Sequence, residues 1–175
     1  TPFIWWEGEN PVATDFSAGT FKHPRLAEVA SDGKWLQKDK GKPGSFVEYA
    51  VQVPRAGTYD FYARRFWKHG PFRWRFDDGA WHGQTALRTG HNRGNVLLDN
   101  VVIDGGWCLN WEPLGPVTLA AGNHRLRIEL LEPDEVAGFD AFLLMQGRFI
   151  PRGKLKPDAP LAPPEPGWWH FLPEP

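Results

Sequence analysis

The sequence predicts an all-β fold, a two-sheet antiparallel β-sandwich (jelly roll) of about eight strands with very little helix. Three observations carry this. Apolar and polar residues alternate with period two over most patterned segments, as in strands with one buried face. A chain with 19 Gly and 17 Pro that is still 41% hydrophobic implies many short connections between buried strands. Finally, no segment has a convincing helical period; "PRLAEVA" (24–30) allows at most a turn or two.

The strands follow in chain order. "FIWWEGE" (3–9) opens the domain. "FVEYAVQVP" (46–54) places Val47, Tyr49, Val51 and Val53 on one face and stops at Pro54. "TYDFYARR" (58–65) resumes after "RAG" with Tyr59, Phe61 and Ala63 inward, which reads as an antiparallel hairpin with the preceding strand. "FRWRFDDG" (72–79) puts Phe72, Trp74 and Phe76 on one side, with Asp78-Gly79 as a turn before Trp81. A strand is expected in "NVLLDNVVI" (95–103). "VTLAAGNHRLRIELL" (117–131) holds two strands around an Ala-Gly-Asn turn, with Leu126, Ile128 and Leu130 inward and Arg125, Arg127 and Glu129 outward. "FDAFLLM" (139–145) is the last. The domain is expected over 1–150. Residues 151–175, in which eight of 25 are proline, read as a tail or linker docked on it through Trp168, Trp169 and Phe171.

Bulk properties bound the function. With 20 basic and 21 acidic residues and a formal net charge of −1, the overall balance does not favour nucleic acid as a partner. The single cysteine, Cys108, excludes an intramolecular disulfide and argues against a cysteine-ligated zinc. No apolar run is long enough to span a membrane. The chain lacks an initiating Met and reads as a processed product or a piece of a longer protein. Ten tryptophans exceed what a core of this size ordinarily uses, so some rings are expected at a binding surface.

Four patterns in one order resemble carbohydrate-binding modules of families 6 and 35, non-catalytic sandwiches appended to polysaccharide-degrading enzymes. They are "WEGEN" (6–10), "GSFVEYAVQVPRAGTYDFYAR" (44–64), "GGW" (105–107) with "VTLAAGNHRLRIEL" (117–130), and "GFDAFLL" (138–144). The resemblance implies a secreted or extracellular accessory domain, with a polysaccharide and the catalytic domain of a larger protein as partners, and neither nucleic acid nor membrane. Trp107, after Gly105-Gly106, fits the family's stacking tryptophan in a cleft at one end of the sandwich. Trp35 matches the second aromatic wall, so that two indoles would sandwich one sugar. An indole buries the C–H face of a sugar ring while its hydroxyls stay free for directional hydrogen bonds. Alternatively, Trp107 caps the core beneath a loop, and Trp35 is likewise an ordinary packing residue. Trp111 and Trp74 read as core.

One departure stands out. Where the family carries an Asn, this chain has Gly138, which either removes binding at that cleft or opens space for a bulkier ligand. Trp67, Lys68 and His69 in "RRFWKHGPF" could compensate, or form an ordinary solvated loop. Four lysines around Trp35 in "KWLQKDKGK" (34–42) read as a solvated run, or, if that ring lines the cleft, favour an anionic polysaccharide. Glu7 and Glu9, two apart on the first strand, point to the same face. If the first and last strands are neighbours, as the resemblance implies, Asp140 joins them, and three hard oxygen donors suit a structural Ca²⁺. A surface Glu pair without metal is the alternative. Two other functions compete: a structural or protein-interaction sandwich whose Trp-rich surface packs on a neighbouring domain, and a glycoside-active enzyme using Asp77, Asp78, Glu112 or Asp140. The second is disfavoured, because Asp77-Asp78 reads as a turn and Asp140 as a metal ligand.

Overall fold

A computed structural model describes residues 2–17, 19, 22–66, 70–83, 98–104 and 107–161. Two antiparallel sheets face each other. The first contains β1 (Phe3–Glu7), β3 (Leu36–Lys38), β5 (Gly57–Phe66), β8 (Leu98–Asp104), β9 (Trp107–Leu119) and β11 (Ala137–Met145). The second contains β2 (Ala13–Thr14), β4 (Phe46–Val53), β6 (Phe72–Phe76), β7 (His82–Gly83) and β10 (Gly122–Leu130). The spatial orders are β1-β11-β5-β9-β8, with β3 also on β11, and β2-β4-β10-β6-β7. The only described α-helix, α1, is short (Pro24–Val29). The eight strands expected from alternation are present, joined by the two- and three-residue strands β2, β3 and β7.

The alternating residues make the core. Val47, Tyr49, Val51 and Val53 of β4 and Leu126, Ile128 and Leu130 of β10 meet Phe61, Phe139, Phe142 and Leu144 of the first sheet. Trp74 is 2% exposed and packs edge-on against Phe61 at 4.8 Å. Burying side chains of this size contributes roughly 1.5–3 kcal/mol each.

One pairing differs from the sequence expectation. β4 and β5 are not a hairpin: β4 pairs with β10 and β2, whereas β5 pairs with β11 and β9. The turn at Arg55-Ala56 therefore carries the chain from one sheet to the other. Alternation specifies which residues face inward but not which sheet receives a strand.

β11 is buried along its whole length, on both faces. Its inner face meets the second sheet. On the outer face Ala141, Leu143 and Met145 join Trp5, Tyr62 and the fully buried Trp111. A strap formed by residues 146–161 covers this surface. Phe149 packs against Tyr62 at 5.0 Å and Trp111 at 5.2 Å, and Trp111 Nε1 donates to the Gly153 carbonyl at 2.9 Å. The Gly153 N–H donates to the Asp99 carboxylate, and Lys154 Nζ to the Glu28 carbonyl of α1 at 2.5 Å. The strap then turns back, held by Arg152 donating to the Ala159 carbonyl at 2.8 Å. Residues 149–154 are thus anchored through Phe149, Gly153 and Lys154, while the expected pins Trp168, Trp169 and Phe171 lie outside the described residues.

Candidate binding site at the loop end of the sandwich

β1 and β3 share one edge of β11. β1 pairs with Ala141–Met145 and β3 with Ala137–Phe139, so the candidate residues gather where one strand gives way to the other. Gly8 makes the exchange: its N–H donates to the Asp140 carbonyl at 2.7 Å, and a Cβ there would lie 2.3 Å from the Phe139 carbonyl oxygen. A side chain at position 8 would force the first strand away from the last. β1 ends at Glu7, so Glu9 lies in the following turn and not on the strand face assigned to it by the period-two reading.

Asp140 is the extra residue of a β-bulge, between the pairs Phe139–Arg65 and Ala141–Arg64. Its side chain is fully buried. It accepts from Arg64 Nη1 at 2.7 Å and from the Ser31 N–H at 2.8 Å, and the same Nη1 donates to the Val29 carbonyl at 2.7 Å. These bonds fasten the end of α1 and the following turn to the first sheet. Burial raises the Asp140 carboxyl, with Arg64 pulling the other way. Glu7 accepts from Trp5 Nε1 at 2.8 Å, while its Oε2 and both Glu9 oxygens are buried without a hydrogen-bond partner. Burial pushes Glu9 up to about 7, and the charges of Glu7, Asp140 and Asp32 add to the rise. Four acidic groups thus share one neighbourhood. Among the described residues no three metal-ligating side chains close on a single point, since Asp140 turns toward Arg64.

Beside them lies an aromatic cluster. Trp35 follows the turn after α1, Phe66 ends β5 and Trp107 begins β9. Phe66 and Trp107 are stacked at 4.5 Å and 21°, while Trp35 meets Trp107 at 6.3 Å and 60°. The structure brings the two predicted tryptophans together but does not set them as parallel walls: they touch edge to face, with no slot for a sugar between them. Both are half-buried against Leu26, Ala30, Ile103 and Leu109. Gly138 does not open space either. A Cβ at this position would lie 3.0 Å from both Trp35 Cζ3 and Phe66 Cβ, so the Trp35 ring covers the ground where the family's Asn would stand. The glycine and the tryptophan form one local packing solution, which the sequence shows only as a missing amide.

The lysine cluster is also rearranged. Lys38 is fully buried, with Nζ donating to the carbonyls of Lys42, Pro133 and Glu135 at 3.1, 2.5 and 2.7 Å, and Lys40 pairs with Glu135 at 3.3 Å. Lys38 clamps a loop and offers nothing to a ligand. Trp67, Lys68, His69, Gly105 and Gly106 lie outside the described residues. Two of the carboxylates weighed for catalysis are engaged elsewhere: Glu112 in a buried pair with Arg65, and Asp77 with His124 at 2.7 Å. The sequence reading did not identify Arg64 or Phe66; both lie in an alternating strand, where an arginine reads as an outward residue and a terminal Phe as core.

No family model matches the chain, and no curated protein matches it in sequence. Solved structures do match it in shape. A family 35 carbohydrate-binding module from Clostridium thermocellum superposes with a TM-score of 0.54 at 18% identity, covering 81% of this chain and 98% of that one. A family 35 module from Cellvibrio japonicus gives 0.54 at 10% identity, covering 84% and 95%. An exo-β-1,3-galactanase from Phanerochaete chrysosporium, solved with galactose, gives 0.54 at 13% identity; this chain is covered over 83% but spans only 30% of the galactanase. The chain therefore has the β-sandwich fold of the family 35 carbohydrate-binding modules.

Proposed function

We propose that this chain is a non-catalytic carbohydrate-binding module that holds a polysaccharide at the loop end of its sandwich and targets an appended enzyme to it from an extracellular location. The observation that carries this reading is the trio of half-buried Trp35 and Trp107 with buried Phe66 at the loop end of that fold. Sugar recognition there uses the indole of Trp107, with Trp35 fixing its angle instead of forming an opposite wall. Trp67, Lys68 and His69 belong to the same proposal. Calorimetric titration with neutral, uronic and sulfated oligosaccharides tests it. Binding is expected to fall at least tenfold in Trp107→Ala, with unfolding still cooperative. No binding across the panel would favour a second reading, an interdomain packing module. The contact between Trp35 and Trp107 and the exposed Ile150, Leu155 and Leu161 of the strap speak for that alternative.

We also propose a structural Ca²⁺ held by Glu7, Glu9 and Asp140. Three buried carboxylate oxygens of Glu7 and Glu9 lack a partner and support the site, whereas Asp140, which faces Arg64 and Ser31, would join them only by turning its remaining lone pairs toward the ion. Without metal, the Glu9 carboxyl, raised from 4.5 to about 7, binds its proton more tightly in the folded state. Its contribution is complete below pH 4.5 and is lost as pH rises through 7. Calcium should therefore raise the melting temperature by several degrees at pH 8, and the gain should shrink toward pH 5. Equal melting temperatures at pH 8 in calcium and in chelator would contradict the site.

A further inference from the structure

Two loops beside the candidate site are joined by a buried cation that sugar recognition does not require. Lys38 ends β3 and is fully buried, and its partners are not carboxylates but three main-chain carbonyls. Its Nζ donates to Lys42 at 3.1 Å, to Pro133 at 2.5 Å and to Glu135 at 2.7 Å. An ammonium has three donors and no acceptor, so three converging carbonyls satisfy it completely. Oxygen dipoles arranged in this way replace the hydration shell of a cation. Burial lowers the pKa of the Lys38 ammonium, and the charges of Asp134, Glu135, Asp15 and Asp39 oppose that.

The surrounding chain is arranged to present these carbonyls. Residues 133–135 commit three consecutive carbonyls to the turn after β3: those of Pro133 and Glu135 to Lys38, and that of Asp134 to the Gly41 N–H at 2.7 Å. Gly41 makes its bond from a left-handed conformation, φ 71°, which glycine adopts without strain. The loop then runs into β11, where Ala137 pairs with Lys38 and Gly138 with Gln37. β3 has only three residues and one partner strand among the described residues, too little to hold its own register. Trp35 lies three residues before Lys38 and Gly138 three after Glu135, so one buried ammonium fixes both the ring and the glycine beneath it.

We propose that the carbonyls of Lys42, Pro133 and Glu135 form a cation site, filled here by the chain's own ammonium. Lys38 is thereby a positioning residue of the loop-end site: it seats Trp35 on Gly138 and so sets the edge by which that ring meets Trp107. The inference rests on the carbohydrate-binding reading and adds to it a residue that lies out of reach of any ligand. The site suits a primary ammonium, which directs three N–H groups from one centre to three acceptors. A guanidinium would not serve, because its donors are spread over a planar fork.

The test titrates the full chain calorimetrically with a neutral galacto-oligosaccharide, an oligogalacturonate and a sulfated heparin oligosaccharide. Lys38→Ala should bind the probe that wild type prefers about fivefold more weakly. Propylammonium, which replaces the deleted end of the side chain, should restore most of that affinity and raise the variant's melting temperature by several degrees. Tetramethylammonium at the same ionic strength should do neither, since it has no N–H to donate. Lys38→Met keeps the stem and drops the charge; it should bind as weakly as Lys38→Ala and gain nothing from propylammonium, which finds no room. Trp35→Ala should also weaken binding, and adding Lys38→Ala to it should weaken binding no further, because the lysine acts through that ring. Lys38→Ala with wild-type affinity and only a lower melting temperature would reduce the clamp to a structural role. Losses that multiply in the double variant would remove Trp35 from the path. Either result overturns the positioning role and spares the loop-end reading, and equal effects of the two ammonium ions would overturn the cation site. Wild type silent toward all three probes would defeat the loop-end reading and the positioning role with it, while the melting shift with propylammonium would still decide the cation site.

Discussion

A chain ending at Gln146 is expected to lose most of its stability. The strap covers Trp111, Trp5, Tyr62, Leu143 and Met145 on the outer face of the first sheet, and Trp111 hydrogen-bonds to Gly153 within it. Removing the strap returns a continuous apolar face to water and leaves the buried indole N–H without its acceptor. Phe149→Ala alone should cost about 3 kcal/mol, the lower end for deleting a packed aromatic. Since domains of this size are stable by only about 5–15 kcal/mol, the full truncation should unfold near ambient temperature or bind an apolar dye while nominally folded. Urea unfolding of the three proteins checks this. A truncated chain with the stability of the full one would make 146–161 a tail after all.

The second large effect is at Arg64. Both members of its pair with Asp140 are fully buried, so Arg64→Met strands a carboxylate inside the protein and should cost about 3–5 kcal/mol at pH 8. The loss should shrink on acidification, because a buried Asp140 without its arginine takes up a proton more readily still than the raised carboxyl of the wild type. Arg64→Met with Asp140→Leu should recover much of the difference when calcium is chelated, since no charge remains uncompensated. Denaturant curves at pH 5 and pH 8 for the single and double variants make the comparison. A single variant as stable as wild type at pH 8 would mean that Asp140 is already protonated in the native protein.

Alternation made the strands legible because it is written by burial itself: Val47, Tyr49, Val51 and Val53 have no other reason to recur at every second position. Sheet membership was not legible. The short turn at Arg55-Ala56 suits a hairpin and an inter-sheet arch equally, and the preference is decided by long-range partners such as Leu119 beside Gly57. The strap was hidden for a different reason: proline-rich composition reports a stiff extended backbone and says nothing about what it lies on. At the candidate site, the nearness of Trp35 to Trp107 was readable, but their mutual angle, the departure of Glu9 from the strand face and the turn of Asp140 toward Arg64 were not. Gly138 shows the limit best. In sequence it is a lost hydrogen-bond donor; in the fold it is the floor beneath Trp35.

The return of the strap has a mechanical consequence. Leu161 lines a cavity with Phe3 and Met145, so the two ends of the described fold meet at the pole opposite Trp35 and Trp107. Tension applied between those ends would peel the strap first and then unzip β1 from β11 pair by pair, starting at Phe3–Met145. Glu7 and the aromatic trio would be the last to feel it. A protein tethered at this pole while gripping a fibre at the other would be pulled along its length, and only its anchored end would yield.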